Sequence, residues 1–412
     1  MRTMYQELNK YFIRRILYVI IFVVASLPIA CAYVMNGGEI LLWLARIEEV
    51  KAGLQSGDIN LFVSAELTAT YGGQAYALNS NLWFILPALM RLIGISITST
   101  YRIYMLLLNL ITLFSTKYFF ETLFEDKNTA VVGILLYMTC PYQIFISYDK
   151  GNLGLVCAWM LLPLFWGGLL RGVRSEKSWV NYIITAISFA GIGYADVRIL
   201  MIVVGTSALA IIWYHKWQMF LPVLGGGILF GPGLIYCVRY LLRGGMEVWN
   251  IPLYKIGSKG YQIAQLFTSW TYRENYPGLG LGLFLALAVL IWLSFTEGNL
   301  KVMKKYGLWV IIAIVLGFMT TVYFPWDVLQ RVCMPLQRLI GILEAPGICF
   351  GLVCLACSVL GAYGVEALKK QQNIFVRVGF PIIIIIASIG VSIYLCNTLT
   401  YTRMPMYLQD IL

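Results

Sequence analysis

The chain has 412 residues, of which 60% are hydrophobic and only 12% are charged, and its mean hydropathy is +0.79. Soluble globular domains carry about twice that charged fraction, so a soluble enzyme is excluded. The net charge of +11 does not indicate a nucleic-acid partner, because the cytoplasmic loops of membrane proteins collect Lys and Arg and face anionic lipid head groups. A single histidine excludes a multi-histidine metal site.

Long apolar runs recur along the whole chain, and each is long enough to cross about 30 Å of hydrocarbon. The runs are continuous rather than alternating, and only helices or closed barrels satisfy the backbone in lipid, so the sequence predicts an all-α polytopic membrane protein. Residues 1–412 are expected to form a single transmembrane domain of about eleven helices. The expected spans are residues 16–34, 101–120, 129–147, 154–170, 179–195, 198–213, 218–241, 279–295, 307–324, 348–365 and 378–396.

Loop charge predicts the orientation of these helices. With a cytoplasmic N-terminus, the basic connections all fall inside and the C-terminus lies outside. These connections are residues 117–127, 171–177, 214–217, 301–305 and 366–377. Segment 82–93 is apolar but short and contains Pro87 and Arg91, so it is expected to be a juxtamembrane or re-entrant helix on the outer face.

Two large outer loops follow from this threading, at residues 35–100 and 242–278. The first is expected to contain two surface helices, and Gly37–Gly57 has the pattern of an amphipathic one. Its apolar stripe consists of Ile40, Leu41, Leu44 and Ile47. Glu39, Trp43 and Arg46 share another face at i, i+4 and i+7.

Two interpretations of this polar face remain open. The Glu39 carboxylate could act as a general base or help to hold a divalent cation, and Arg46 could donate two parallel hydrogen bonds to a phosphate. Alternatively, Glu39 complements the helix dipole and Arg46 is a surface residue.

Short motifs spread over most of the chain resemble a known family. They are Arg46-Ile-Glu48, Lys51-x-Gly53-Leu54, Tyr71-Gly72, Pro141-Tyr142, Leu162-Pro163-Leu164, Phe324-Pro325-Trp326-Asp327 and Gly361-Ala-Tyr-Gly364. Together with the long outer loop after the first helix, their order resembles the GT-C glycosyltransferase superfamily. More closely, the chain resembles the bacterial membrane proteins called the 6-pyruvoyl-tetrahydropterin-synthase-related family.

The resemblance implies a GT-C-like bundle in the bacterial cell membrane that transfers a sugar from a polyprenyl-phosphate carrier on the outer side. In an active enzyme, we assign Glu39 as the base or metal-coordinating carboxylate, with Asp149 and Asp196 as supporting catalytic acids. The residues implied in binding the substrate or its phosphate are Arg46, Tyr71, Lys150, Arg198 and Arg338. No protein-bound metal is assigned, although Glu39 could help to hold a divalent cation.

The chain departs from the family pattern at several of these positions. Gly38-Glu39 stands where the family has His-Asp, Leu155 stands where an acid is expected, and Ala195-Asp196 replaces a Ser-His pair. Three functions therefore remain open: a glycosyltransferase, an inactive accessory subunit that binds a lipid-linked glycan or an envelope-assembly protein, and a transporter of a lipid-linked substrate. Membrane lipids are partners in each.

Overall fold

The computed structural model describes residues 2–30, 39–57, 62, 79–174, 179–242, 256–268, 278–297, 301–332, 343 and 346–401. The regular elements within these ranges are helices, and extended pairing is limited to two isolated bridges, Phe62 with Ser80 and Tyr261 with Thr321. The chain is therefore all-helical where it is described. Tyr71 and Arg338, both predicted to bind substrate, lie outside the described residues.

The helices are numbered here in chain order. They are α1 (Arg2–Ser26), α2 (Ile40–Ser56), α3 (Ile85–Leu92), α4 (Ile97–Leu123), α5 (Lys127–Met138), α6 (Pro141–Ile144), α7 (Leu153–Arg174), α8 (Trp179–Ala195), α9 (Val197–Tyr214), α10 (Phe220–Leu229), α11 (Gly231–Leu242), α12 (Ile263–Thr268), α13 (Gly280–Glu297), α14 (Lys301–Met319), α15 (Trp326–Val332), α16 (Phe350–Leu368) and α17 (Phe380–Tyr401).

Several of these helices have the length and apolarity of membrane spans. Within the described residues there are six such spans, or up to eight if each of two bent helix pairs is one span. The bent pairs are Lys127–Met138 with Pro141–Asp149, at 43°, and Trp217–Leu229 with Gly231–Arg239, at 60°. The protein is therefore a multi-pass, membrane-embedded protein. The other three expected spans coincide with shorter apolar helices, Trp179–Ala195, Gly280–Phe295 and Tyr306–Met319.

Two helices form the centre of the bundle. In α7 and α16, 94% of the most apolar stretch is buried inside the protein, whereas the corresponding figure for the α17 stretch, Phe375–Asn397, is 22%. Large apolar side chains on the peripheral helices point outwards, including Ile382 and Ile386 on α17. An exposed apolar surface of this extent is typical of helices that face lipid.

Helix α2 occupies the position of the predicted amphipathic helix, but its environment differs from the expectation. Trp43 is 0% exposed and Arg46 is 3% exposed, so the face that they share with Glu39 packs against protein. The chain segment before α3 covers that face, with Phe84 stacked on Trp43 at 5.3 Å between ring centroids. Arg46 is therefore not a surface residue, as the alternative interpretation had supposed, because a tertiary contact buries its side of the helix.

Helix α3 lies beside α2 and presents an apolar stripe outwards. The exposed residues of this segment are Leu82, Leu86, Leu89 and Ile93. On the other side, the Arg91 side chain donates to the Glu48 carboxylate of α2. Hydrogen bonds from Arg91 and Lys51 outweigh the effect of partial burial and lower the pKa of Glu48. An exposed apolar stripe on a short helix with an ion-paired opposite side suits a helix lying at a membrane surface.

Candidate functional site

Four chain segments meet at one end of the bundle. They are the N-terminus of α2, residues 79–84 before α3, the turn 149–154 before α7, and the turn 195–198 between α8 and α9. Backbone hydrogen bonds join them: the Glu39 amide donates to the Lys150 carbonyl at 3.0 Å, and the Ser80 amide donates to the Tyr194 carbonyl at 2.9 Å. Sequence-distant polar residues are thereby gathered in one place.

The turn before α7 has a backbone that only glycine adopts easily. Gly151 has φ +66°, in the left-handed region, and an added Cβ there would overlap the Ile40 side chain of α2. Both features favour glycine, which reaches positive φ without steric cost. Ile40 can therefore pack directly on the turn and bring Glu39 to Lys150 and Asn152.

Glu39 is held by two side chains from this turn. The Lys150 Nζ lies 3.2 Å from one carboxylate oxygen, and Asn152 Nδ2 donates to the other at 2.6 Å. The Asn152 Oδ1 accepts a hydrogen bond from the Leu155 backbone amide at 2.9 Å. The Asn152 side chain therefore also caps the first turn of α7. Sequence analysis missed Asn152, whose position between two glycines in Gly151-Asn-Leu-Gly154 was the available signal.

Arg46 lies deeper in the same region and is bound by protein groups. Its Nε donates to Asn81 Oδ1 at 2.6 Å, and its Nη2 donates to the Asn79 carbonyl. The guanidinium also lies over two aromatic rings, 5.5 Å from the Trp43 centroid and 5.2 Å from the Phe84 centroid. Burial lowers the pKa of Arg46 to about 9, because removing a cation from water disfavours its charged form. The hydrogen bonds of Arg46 thus connect α2 to the segment before α3.

Asp196 and Arg198 form a buried ion pair in the turn before α9. Their exposed fractions are 0% and 3%, and Arg198 Nη2 lies 2.6 Å from Asp196 Oδ2. The Asp196 side chain also accepts from the Arg198 amide at 2.9 Å, which caps α9. Each charge therefore has its partner two residues away, and the pair stabilises the start of this helix.

Asp149 ends a short π-helical turn, Phe145–Asp149, and is 2% exposed. It directly precedes Lys150, so the chain itself places it beside the Glu39 site. Glu39 differs from the other two candidate acids because its side chain is 17% exposed. A carboxylate must be reachable to act on a bound substrate, and Glu39 meets that condition best among the three.

The four segments pack closely around Gly154, where there is no room for a side chain. A Cβ added at Gly154 would lie 2.9 Å from the Ala195 carbonyl oxygen and 3.2 Å from the Trp43 ring. The same Cβ would also press on the Asn79 side-chain amide, whose Nδ2 is buried and makes no hydrogen bond to protein. The structure therefore brings Glu39, Lys150, Arg46, Asp196 and Arg198 into a single junction.

Metal binding has no support from the described residues, where no group of three or more His, Cys, Asp or Glu side chains could hold an ion. Within the described part of the chain, Glu39 contacts an ammonium and an amide nitrogen, both donors rather than metal ligands.

Comparison of the chain with models of known protein families and with curated proteins finds no match.

Proposed function

We propose that this protein is a GT-C-like glycosyltransferase that acts on a polyprenyl-phosphate-linked sugar at the outer face of a bacterial cell membrane. One observation carries the proposal: a partly exposed carboxylate, Glu39, pairs with a partly exposed ammonium, Lys150, where the N-terminus of α2 meets the turn before α7. Phosphate-linked sugar transfer needs a base for the acceptor and a positive charge for the leaving phosphate. Glu39 supplies this base, and the neighbouring Lys150 supplies this positive charge.

The roles of the two residues follow from their chemistry. The Glu39 carboxylate takes the proton of an acceptor hydroxyl while that oxygen forms a bond to the anomeric carbon of the sugar. The bond from that carbon to the phosphate oxygen breaks, its electron pair stays on the polyprenyl phosphate, and Lys150 stabilises the added charge.

Asn152 positions Glu39 in this scheme. Its amide is held by the cap of α7 and donates to the carboxylate at 2.6 Å. Because Asn152 binds only one oxygen of the Glu39 carboxylate, the other oxygen remains available to Lys150 or to the acceptor hydroxyl. Because misplacement by about 1 Å can cost on the order of 100-fold in rate, this anchor compensates for the extra methylene of glutamate relative to aspartate.

A second function, that of a non-catalytic accessory subunit, is favoured by a different observation. Asp196 is fully buried and neutralised by Arg198, and Arg46 is bound to Asn79 and Asn81. Three of the groups expected to act on the substrate, Asp196, Arg198 and Arg46, are therefore engaged by other protein groups. Under this alternative the junction would bind a lipid-linked glycan or an envelope-assembly protein without transferring the sugar.

The first test is native mass spectrometry with lipid extraction on protein purified in mild detergent. We expect a polyprenyl phosphate, or its glycosylated form, to be bound to the wild-type chain. A spectrum that contains only bulk phospholipid contradicts the proposal. A co-purifying polypeptide without the carrier lipid supports the accessory function.

The second test compares Glu39→Gln with Glu48→Gln in a sugar-transfer assay that uses the lipid so identified. Removing a general base lowers the rate by about 100-fold to 10,000-fold, so Glu39→Gln should lose transfer and keep the bound lipid. Glu48→Gln is the matched control, because Glu48 lies on the same helix and pairs with Lys51 and Arg91 instead. Equal activity of Glu39→Gln and the wild type rules out Glu39 as the base.

A further inference from the structure

An apolar cavity of about 270 Å³ lies between α9 and α14. The residues that define it are Met201, Gly205 and Leu209 on α9, and Ile312, Val315 and Met319 on α14. Cys349, in the turn Pro346–Cys349 before α16, also lines it. The cavity is thus bounded by two helices, this turn and the residue Leu343.

The cavity, called the slot below, is lined by one face of each of the two helices. Met201, Gly205 and Leu209 follow one another at i, i+4 and i+8, so they form one face of α9. At about 1.5 Å per residue, this face is about 12 Å long. On α14, Ile312, Val315 and Met319 repeat at intervals of three and four residues and form the facing wall. The slot therefore runs lengthwise along both helices for about two turns.

One side of the slot opens towards the surrounding membrane. Gly205 and Val315 are both exposed, and nothing lies within 4 Å of the position that a Gly205 Cβ would take. The neighbouring residues Val204 and Ile314 are 47% and 65% exposed, so both helices turn apolar surface outwards at this opening. In a membrane-embedded protein, a lateral opening between such residues faces hydrocarbon chains.

The lining is apolar apart from the Thr206 hydroxyl and the Cys349 thiol. Its hydroxyl group, on Thr206, already donates to the Ile202 carbonyl at 2.9 Å. An apolar cavity of about 150 Å³ stays dry and accepts a benzene molecule, with six carbons. A cavity of 270 Å³ therefore has room for a hydrocarbon segment of about ten carbons.

We propose that this slot binds one acyl chain of a membrane phospholipid, which inserts sideways between α9 and α14. A single acyl chain matches a cavity of this volume that is lined by apolar side chains and open between exposed apolar residues. Filling it would restore the dispersion contacts that the two helices lack where they are separated. The site shares no residue with the Glu39 junction and does not depend on the proposed sugar chemistry.

The experiment uses the full chain in nanodiscs of phosphatidylglycerol that contain a fraction of the same lipid with a diazirine at mid-chain. After illumination, labelled peptides are mapped by mass spectrometry. We expect labelling of α9 and α14 to exceed that of α17, whose Ile382 and Ile386 are exposed and report ordinary boundary lipid. Labelling that is uniform over the exposed helices overturns the proposal.

A matched pair of variants tests occupancy of the slot. Gly205→Leu places a side chain inside it and should reduce labelling of α9 and α14 by about tenfold, the effect of about 1.4 kcal/mol of lost affinity. Gly317→Leu is the control: Gly317 is also helical and also has nothing within 4 Å, but it does not line the cavity. Equal labelling of the two variants contradicts the proposal.

Two further measurements keep the outcome decisive. If Gly205→Leu does not fold, Val315→Trp, at the mouth of the slot, should block entry with the same loss of label. Unlabelled polyprenyl phosphate, added at the same mole fraction as the probe, distinguishes the two kinds of lipid chain. Loss of α9 and α14 labelling on its addition would identify an isoprenoid as the occupant and overturn the phospholipid assignment.

Discussion

At the scale of single residues, the Glu39 site depends on a turn of only a few amino acids. A partly exposed ion pair such as Glu39 with Lys150 contributes at most about 1 kcal/mol to stability, so this contact does not hold α2 in place. The packing of Ile40 on Gly151 and the hydrogen bonds of the buried Arg46 are better suited to that task. The charges of Glu39 and Lys150 are thus available for function.

Gly151→Ala tests this account of the turn. The Cβ of the new alanine must displace Ile40, and the alanine backbone must adopt φ +66°. We therefore expect a loss of stability of about 2–4 kcal/mol. Gly94→Ala separates the two effects, because Gly94 has φ +89° but nothing within 4 Å of its Cβ position. It should cost only about 1–2 kcal/mol. Thermal denaturation in detergent measures both, and equal losses would mean that the contact with Ile40 is unimportant.

At the scale of helices, a polar contact at the opposite end of the bundle links α5 to the buried helix α16. Asp126 caps α5 through hydrogen bonds from the Asn128 and Thr129 amides. Lys369, just after α16, donates to the same Asp126 carboxylate and, at 2.9 Å, to the Thr129 hydroxyl. Lys369 therefore extends the cap of one helix with a charge from the end of another.

This contact predicts a pH dependence. Partial burial opposes the Asp126 charge, but Lys369 and the capping groups outweigh it and lower the pKa of Asp126. A carboxyl group with a lowered folded pKa stabilises the protein above its unfolded pKa, and the contribution disappears as the pH falls through the folded value. Lys369→Gln should therefore lose up to about 1 kcal/mol near neutral pH and little in acid.

Denaturation midpoints followed by tryptophan fluorescence between about pH 7 and pH 3 measure this difference. Lys370→Gln is the control, because it removes the same charge from the next residue, for which the described residues provide no ion pair. If the two variants behave alike at every pH, the Asp126 contact has no specific role.

At the scale of the whole molecule, the ends of the bundle differ in their chemistry. Glu39, Lys150 and Asp196 lie at one end, and Asp126 and Lys369 lie at the other. The distribution of basic loops predicts that the second end faces the cytoplasm. The proposed reaction depends on this orientation, because a lipid-linked sugar used on the outer side must reach the Glu39 end.

Cysteine labelling in intact bacterial cells tests the orientation. Ser56 and Gln372 are exposed residues at opposite ends, and a membrane-impermeant maleimide should label Ser56→Cys directly and Gln372→Cys only after permeabilisation. The background is low because the cysteines of the described residues are buried, and Cys31 and Cys333 can be changed to Ser. The reverse labelling pattern would place the Glu39 site in the cytoplasm and contradict the proposed function.

Sequence analysis predicted some of the residues that meet at the Glu39 site and missed others. Glu39, Lys150 and Asp196 were predicted as site residues, and the charge-based threading predicts that their segments lie on one side of the membrane. Asn152, Asn79 and Asn81 were not identified, although they hold Glu39 and Arg46. Neutral amides carry no charge pattern and no periodicity, so only their hydrogen-bond partners reveal their role.

The sequence by itself determined that this protein is helical and embedded in a membrane, because long apolar runs with few charges have no other stable environment. It did not determine which helices are central. The most apolar stretch within residues 375–397 has a mean hydropathy of 2.4 and 22% of it is buried, whereas the corresponding values for Leu153–Gly172 are 2.0 and 94%. Lipid and protein interior are equally apolar, so hydropathy cannot distinguish them. Only the tertiary structure decided which helices pack inside, and likewise that Arg46 is buried.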